Sequence, residues 1–371
     1  MVDSLRRPWF SAYLVLTLLL TCQMLSQSVL APAATYQGPL IDAHDHIVPG
    51  LGADTIVSLM AKGVRKTVLM ANQIPASQPM GWEDSLVLEA HEKYPQQIVP
   101  FLSTPRWGWQ IRDQAFMVYA ENQLKTGKFK GIGEFMIRHY ASGGLAPAPD
   151  INVPADSQWM QDMMRLGAKY NVPLNIHMET EPDTVAALDR ALTANPNTTV
   201  IWAHQNPVKT SGGAEAQYAR KADPNQIAAL LDKYSNLYAD ISVGKESDFF
   251  DPEKDLTLPD SWKSLYEKYN DRFMVGFDNA AKEMWEKYYP SRVTVHRTWL
   301  SQLTSATARK LAYENIERIL GLPPTTSASA NPTAAAGSCD NNRLNPVLFV
   351  VPVASFPLFM HGIGKTTSTY N

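Results

Sequence analysis

Cysteine is almost missing from this sequence. Cys22 and Cys339 stand at opposite ends of the chain, outside the long central region where apolar runs are dense. A disulfide framework or thiolate metal site in that region is thereby excluded, so a metal held there must use nitrogen and oxygen ligands. An excess of one charge is lacking too. Lys and Arg number 33 against 36 Asp and Glu, for a formal net charge of −3, which gives no electrostatic basis for a nucleic-acid or anionic-membrane partner. No glycine-rich phosphate loop follows any strand-like run, which speaks against a dinucleotide site. Apolar runs long enough to span a bilayer are also wanting. What remains is 371 residues, 45% hydrophobic, enough for a large buried core and a small-molecule site.

The ends differ from the middle. Arg6 and Arg7 precede an apolar run at 13–20, and Ala31-Pro32-Ala33-Ala34 follows it. Charged, then apolar, then small is the order of a secretory signal peptide. Residues 1–34 are expected to be such a segment, cleaved near Ala33 or Ala34, and the protein to be exported to the periplasm or beyond. An uncleaved anchor is the alternative. Thr21 ahead of Cys22 disfavours lipidation, and Pro8 directly after the arginines disfavours a twin-arginine signal. At the other end, 323–337 is mostly Pro, Thr, Ser and Ala, and the apolar stretch 347–360 is broken by Pro352 and Pro357. Residues 323–371 thus read as a flexible linker and apolar tail, with no stable membrane span in the mature chain.

Between them, 35–322 alternates strand-like and helical patterns. Strands are expected at 39–44, 66–70, 98–103, 131–135, 172–177, 199–204, 237–241 and 272–278. Amphipathic helices are expected at 55–62, 84–93, 113–124, 157–169, 184–193, 224–234 and 260–269, with a last long one at 291–320. Alternation of this kind means βα units and a parallel sheet. Eight units in this length favour a (β/α)8 TIM barrel over an open doubly wound sheet.

The first strand ends in His44-Asp45-His46. Side chains alternate along a strand, so the two imidazoles share a face and suit a divalent metal. Of eight histidines, His44, His46, His177 and His204 fall at strand ends, where barrel active sites are built. His91 and His296 sit in helical patterns, His139 in the loop 139–153, and His361 in the tail. Two acids close expected strands: Glu134 the fourth and Asp278 the eighth. Burying either unpaired is costly, and a cation offsets that cost. A salt bridge to Arg138 or to a lysine on an adjacent strand is the alternative for Glu134, and a helix N-cap for Asp278. Asp42 and Asp240 lie on strands as candidates for orienting a ligand, Asp240 also for binding substrate. Arg106 and Arg138 are expected over the pocket, where a guanidinium would pair with an acidic substrate group. A loop salt bridge is the competing role for each.

Taken together, His44-Asp45-His46, Asn175-Ile176-His177, Trp202-Ala203-His204 and Gly276-Phe277-Asp278 resemble, in order, the motifs of the amidohydrolase superfamily, in particular its amidohydrolase-related branch. The ending Ala308-Arg309-Lys310-Leu311-Ala312-Tyr313-Glu314-Asn315 resembles the last helix of that branch. The resemblance covers about 37–322. It implies a metal-dependent hydrolase of an amide, ester, lactone or related bond, with His44, His46, Glu134, His177, His204 and Asp278 as ligands. Many members bridge two metals with a carboxylated lysine at the fourth strand. Here Glu134 stands in that place, so one or two ions are permitted and two are favoured. Zinc is the first choice; manganese, iron and cobalt also fit. The metal would activate a water, and Asp278 would act as general base and then acid. A non-oxidative decarboxylase and a non-catalytic binding barrel are the alternatives. The expected partner is a small-molecule substrate, and a homo-oligomer is compatible with the sequence.

Overall fold

The computed structural model describes residues 35–48, 50–61, 63–72, 82–104, 114–141, 149–207, 222–242 and 256–325. The expected signal segment, Arg106 and residues 326–371 of the expected C-terminal tail lie outside the described residues. The chain divides into two compact units, 1–327 and 328–371, and all described residues belong to the first.

Strands buried on both faces belong to a parallel sheet covered on both sides, and most strand residues here are buried. Strands β1 (Leu40–Ile47), β2 (Val64–Ala71) and β3 (Ile98–Pro100) form one parallel sheet in that order. All eight residues of β1 are buried. A second sheet has the order β5-β4-β6-β7-β8-β9. It contains β4 (Ile132–His139), β5 (Ile151–Asn152), β6 (Leu174–Met178), β7 (Val200–Trp202), β8 (Leu237–Asp240) and β9 (Phe273–Met274). Every pairing is parallel except β5 with β4. Hydrogen bonds cross both gaps between the sheets. Leu102 bridges Ile132 in parallel, and on the other side Ala43 N donates to Val275 O at 2.8 Å. The architecture is a TIM-barrel-like α/β fold.

Parallel strands need crossovers. These are supplied by α1 (Ala53–Met60), α2 (Trp82–Lys93), α3 (Gln114–Lys125), α4 (Gln158–Tyr170), α5 (Pro182–Ala194), α6 (Pro224–Lys233) and α7 (Asp260–Lys268). Then follow α8 (Tyr289–Ser301), α9 (Ser305–Arg309) and α10 (Asn315–Leu320), with π-helical turns at Met284–Tyr288 and Lys310–Glu314. Local chemistry sets their ends. Ser157 caps α4 by accepting from Met160 N, and Asn171 closes it in the left-handed conformation at φ 52°. Asp223 caps α6 just before Pro224, the position where the missing proline N–H costs nothing. The buried face of α4 carries Trp159, Met160, Met163, Met164 and Leu166, an apolar stripe at helical spacing.

Four departures from the sequence reading bear on the site. First, residues 151–152, expected in a loop, form β5 against the end of β4. Second, β4 runs on to residue 139, so Arg138 and His139 are strand residues rather than loop residues. Third, the ladder stops at Trp202 and Met274, so His204 and Asp278 lie beyond their strands instead of closing them. Fourth, the expected helix 291–320 breaks after Ser301, because Thr304 caps a new helix by accepting from Thr307 N at 3.3 Å.

Candidate metal centre

The six expected ligands meet at one end of the strands. His44 and His46 come from β1, Glu134 from β4, His177 from β6, and His204 and Asp278 from the turns after β7 and β9. His204 has φ 65° and Asp278 φ 56°. Residues with a Cβ pay for this left-handed conformation, and such strain gathers where a side chain must be aimed. Arg292 supports the second turn: its Nη1 donates to Phe277 O at 2.7 Å and to Asp278 O. Two glycines let the backbones close in. A Cβ on Gly276 would lie 2.8 Å from His44 Cβ, and one on Gly133 would lie 2.7 Å from Asn175 Cβ.

The imidazoles are oriented by their outer nitrogens. His44 Nδ1 lies 3.0 Å from Asp240 Oδ2, and His46 Nδ1 lies 3.4 Å from Ala71 O. Both acceptors call for a proton on Nδ1, which leaves each Nε2 with a lone pair. Ser242 Oγ donates to Asp240 Oδ1 and lies 2.8 Å from His204 Nδ1. With its own proton committed, Ser242 accepts from His204, whose Nε2 is then also a lone-pair donor. His177 is reversed: Nε2 faces Glu179 Oε1 at 3.8 Å, and Nδ1 points inward. Orientation of metal-binding imidazoles by outer carboxylates and carbonyls is the usual device.

The inner nitrogens surround two carboxylates. His44 Nε2 and His46 Nε2 are 3.3 Å apart. Asp278 Oδ1 lies 3.8 and 3.4 Å from them, and the Glu134 oxygens lie 3.6 Å from each. Four ligands about 2.1 Å from one tetrahedral ion would be separated by about 3.4 Å, so these four groups fit one divalent cation. Glu134 Oε1 also lies 3.2 Å from His177 Nδ1 and 2.9 Å from His204 Nε2, and those three form a second group of competent ligands. Glu134 therefore stands between two sets of nitrogens.

Electrostatics follow from this crowding. Burial opposes charge on Glu134, but His44, His177 and His204 outweigh it and hold its pKa well below the usual value. Burial likewise opposes charge on Asp278, and His46, His204 and His44 reverse the effect. His177 is pushed up to about 10, because Glu134 and Glu179 overcome its burial. Metal-free, the cluster carries positive imidazoles and negative carboxylates in mutual contact; a cation would replace the imidazole protons.

The remaining candidates fall out differently. Asp240 is fully buried and does not face a substrate. Its oxygens are taken by His44, Asn175 Nδ2 at 3.1 Å, His204 N at 3.0 Å, Ser242 N at 3.1 Å and Ser242 Oγ. It lies near enough to His44 and His204 to count as a ligand, but its lone pairs are spent on these donors. Arg138 is not available for an acidic substrate either. It pairs with Asp150 and Glu181 at 3.3 Å each, donates to Ile151 O, and stacks on Tyr140. Arg106 lies outside the described residues. Asp42 Oδ1 accepts from His44 N at 3.1 Å and Phe277 N at 3.0 Å, tying β1 to the turn that carries Asp278.

Sequence reasoning missed Ser242, Glu179, His139 and Glu83. Ser242 stands two residues after Asp240 and Glu179 two after His177, the same-face spacing that singled out the His-x-His pair. Glu83 opens α2 and is buried toward His46; burial pushes its carboxyl up to about 7. No local sequence signal marks it.

A barrel-like fold with convergent imidazoles and carboxylates at the strand ends defines a metal-dependent hydrolytic class. The amidohydrolase family model matches residues 41–322, and the chain belongs to that family. It is a hydrolytic enzyme, which sets aside the non-catalytic alternative. Similar solved structures include a probable 2-pyrone-4,6-dicarboxylic acid hydrolase from Acinetobacter baumannii with citric acid bound. It is 13% identical over 76% of this chain and 99% of that one, with a TM-score of 0.51. Dihydroorotase from Campylobacter jejuni is 16% identical over 80% of this chain and 87% of that one, with a TM-score of 0.50. At these identities the likeness is one of fold. No curated protein matches the sequence.

Proposed function

We propose that this protein is a closed (β/α)8 barrel that holds two divalent ions, zinc first among them, and hydrolyses an amide, ester or lactone bond of a small molecule. The observation that carries this is the arrangement of four inward ring nitrogens around Glu134, three of them, on His44, His46 and His204, fixed from behind by an outer hydrogen-bond partner. The printed name of one similar structure, a probable 2-pyrone-4,6-dicarboxylic acid hydrolase, agrees with a hydrolytic reaction. His44, His46, Glu134 and Asp278 would hold one ion, and His177, His204 and Glu134 the other.

When bound, a divalent ion lowers the pKa of a water from 15.7 to about 7 and polarises the oxygen of an electrophilic centre. The chain's own groups do the rest. Asp278 is 14% exposed, whereas Glu134 is 3% exposed, so Asp278 is the carboxylate that reaches the mouth. It accepts the proton of the attacking water and returns it to the leaving group. Its left-handed backbone, held by Arg292, fixes the direction of that transfer. Asp240 keeps His44 and, through Ser242, His204 in the tautomers that present Nε2.

Metal analysis tests the reading. The purified protein is expected to carry about two ions per chain, and Glu134→Ala to lose at least one. Asp278→Asn should abolish turnover on a panel of esters, lactones and amides while keeping metal. Wild-type protein that is active without metal would refute the proposal. We also propose export through removal of the 1–34 segment, which the N-terminus of the mature protein and cell fractionation would test. No described helix is long and apolar enough to cross a membrane.

A further inference from the structure

The residue between the two metal-facing imidazoles has no part in the proposed chemistry, yet it is fully buried. Alternation along β1 turns Asp45 away from the face that His44 and His46 share. A carboxyl group so placed needs hydrogen-bond donors, and two of them come from the turn that carries Asp278. Asp45 Oδ1 accepts from Asn279 N at 2.6 Å and from His46 N at 3.0 Å, and Oδ2 accepts from Asn279 Nδ2 at 2.8 Å. Asn279 is fully buried too, which shields these bonds from water. The other side of Asp278 is held from the same strand, because Asp278 N donates to His44 O at 2.7 Å. The φ and ψ of a residue are the rotations that relate its two flanking peptide planes. The plane before Asp278 is tied to His44, and the plane after it to Asp45 through Asn279 N and to Arg292 through Asp278 O. Both rotations are thereby set, and Asp278 is held at its left-handed φ of 56°, a conformation that residues with a Cβ otherwise avoid.

Resting on the metal-centre reading above, we infer that Asp45 is a positioning residue for Asp278, acting through Asn279 to aim that carboxylate at the ion. His44, Asp45 and His46 are successive residues of one strand. The segment that supplies two imidazoles on one face therefore fixes, from its other face, the acid that must meet them, and the 3.4 Å between His46 Nε2 and Asp278 Oδ1 follows from it. The role calls for acceptor oxygens rather than for a charge. Asp45→Asn keeps an oxygen for Asn279 N. Asn279 Oδ1 has no hydrogen-bond partner, so its amide can turn to accept from the new NH2 group and breaks only the bond being replaced. Asp45→Ala removes both acceptors.

The test loads full-length protein with Co2+, whose visible absorption reports the number and geometry of its ligands, and compares variants at saturating metal. Asp278→Ala supplies the spectrum of a centre that has lost that carboxylate. Asp45→Ala should shift the wild-type spectrum toward it. It should also weaken Co2+ binding, measured by chelator competition, by about ten- to a hundredfold, the usual cost of losing an outer partner. Asn279→Ala keeps the backbone N–H but not the amide. It should show a smaller shift and bind about threefold more weakly, and it carries the test if Asp45→Ala does not fold. Asp45→Asn should recover the wild-type spectrum and most of the affinity. A purely structural role predicts something else: a lower Tm of the chelated Asp45→Ala and Asn279→Ala proteins, with wild-type spectrum and Co2+ affinity once loaded. That result would overturn the inference, as would Asp45→Asn behaving like Asp45→Ala. Wild-type protein that takes up no Co2+, or an Asp278→Ala spectrum identical to that of wild type, counts against the metal centre itself, and the inference falls with it. A normal wild type, a shifted Asp278→Ala and an unshifted Asp45→Ala count against the inference alone.

Discussion

A single carboxylate, Asp240, governs the tautomers of two of the four imidazoles. It touches His44 directly and His204 through Ser242, and it is pinned by Asn175 and two backbone amides. Asp240→Asn would keep the volume but lose the acceptor for one of those donors. Loss of such an outer partner typically costs ten- to a hundredfold in metal affinity, and a chelator competition against wild type should show a drop of about that size. Gly276 is the second critical residue. Gly276→Ala would place a methyl 2.8 Å from His44 Cβ and 3.0 Å from Ser242 Cβ, atoms held close to the backbone that cannot swing aside. Overpacking of this kind costs about 1–3 kcal/mol, and both a lower Tm and a lower metal content are expected.

At the level of elements, one clamp is repeated around the helical layer. Lys93-Tyr94, Lys169-Tyr170, Lys233-Tyr234 and Lys268-Tyr269 each end a helix with the ammonium within 6 Å of the neighbouring ring centroid. Each lysine also pairs with an acid on an earlier helix: Asp54, Glu121, Asp189 and Asp232 respectively. The acids and lysines are mostly exposed, so the ion pairs themselves contribute little. The tyrosines matter more. Tyr234 is buried, and its hydroxyl lies 2.7 Å from Asp189 O and 2.6 Å from Thr193 Oγ1. Tyr234→Phe is expected to cost about 1 kcal/mol and to lower Tm by about 2–4 °C without altering metal content. The repetition follows from the βα architecture, in which each helix meets its predecessor at the same height.

For the molecule as a whole, the metal-free protein should depend on pH at both ends. Asp240 sits at about 2 in the fold, because His44 and its hydrogen bonds outweigh burial. Its stabilising effect is complete above the ordinary aspartate value near 4 and is lost as pH falls toward 2. His177 has the opposite sign. Its pKa rises from 6.5 to about 10, so its contribution is complete below about 6.5 and is lost as pH rises through about 10. Melting curves of chelated protein should therefore decline on both flanks. Adding metal should raise Tm and flatten the alkaline flank, because the bound imidazoles are already neutral and binding releases their protons. A chelated protein whose Tm does not change between pH 7 and 10 would contradict this.

The sequence alone determined the strand and helix alternation and the places of all six candidate ligands. Both are written in short-range patterns: period two in a strand, period near 3.6 in a helix, and histidine or acid at or just past a strand end. It could not tell that Arg138 and Asp240 face protein rather than substrate, since that depends on Asp150, Glu181, Asn175 and Ser242, which reach them only across the folded chain. Nor could it show His139 beside His177, because a register shift in β4 and a two-residue strand at 151–152 turn that ring inward. Tautomers, the spacing of Glu134 between two nitrogen sets, and the left-handed turns at His204 and Asp278 belong to the tertiary structure. Each is fixed by contacts between residues far apart in the chain, and hydrogen bonds of that kind leave no periodic trace in the order of residues.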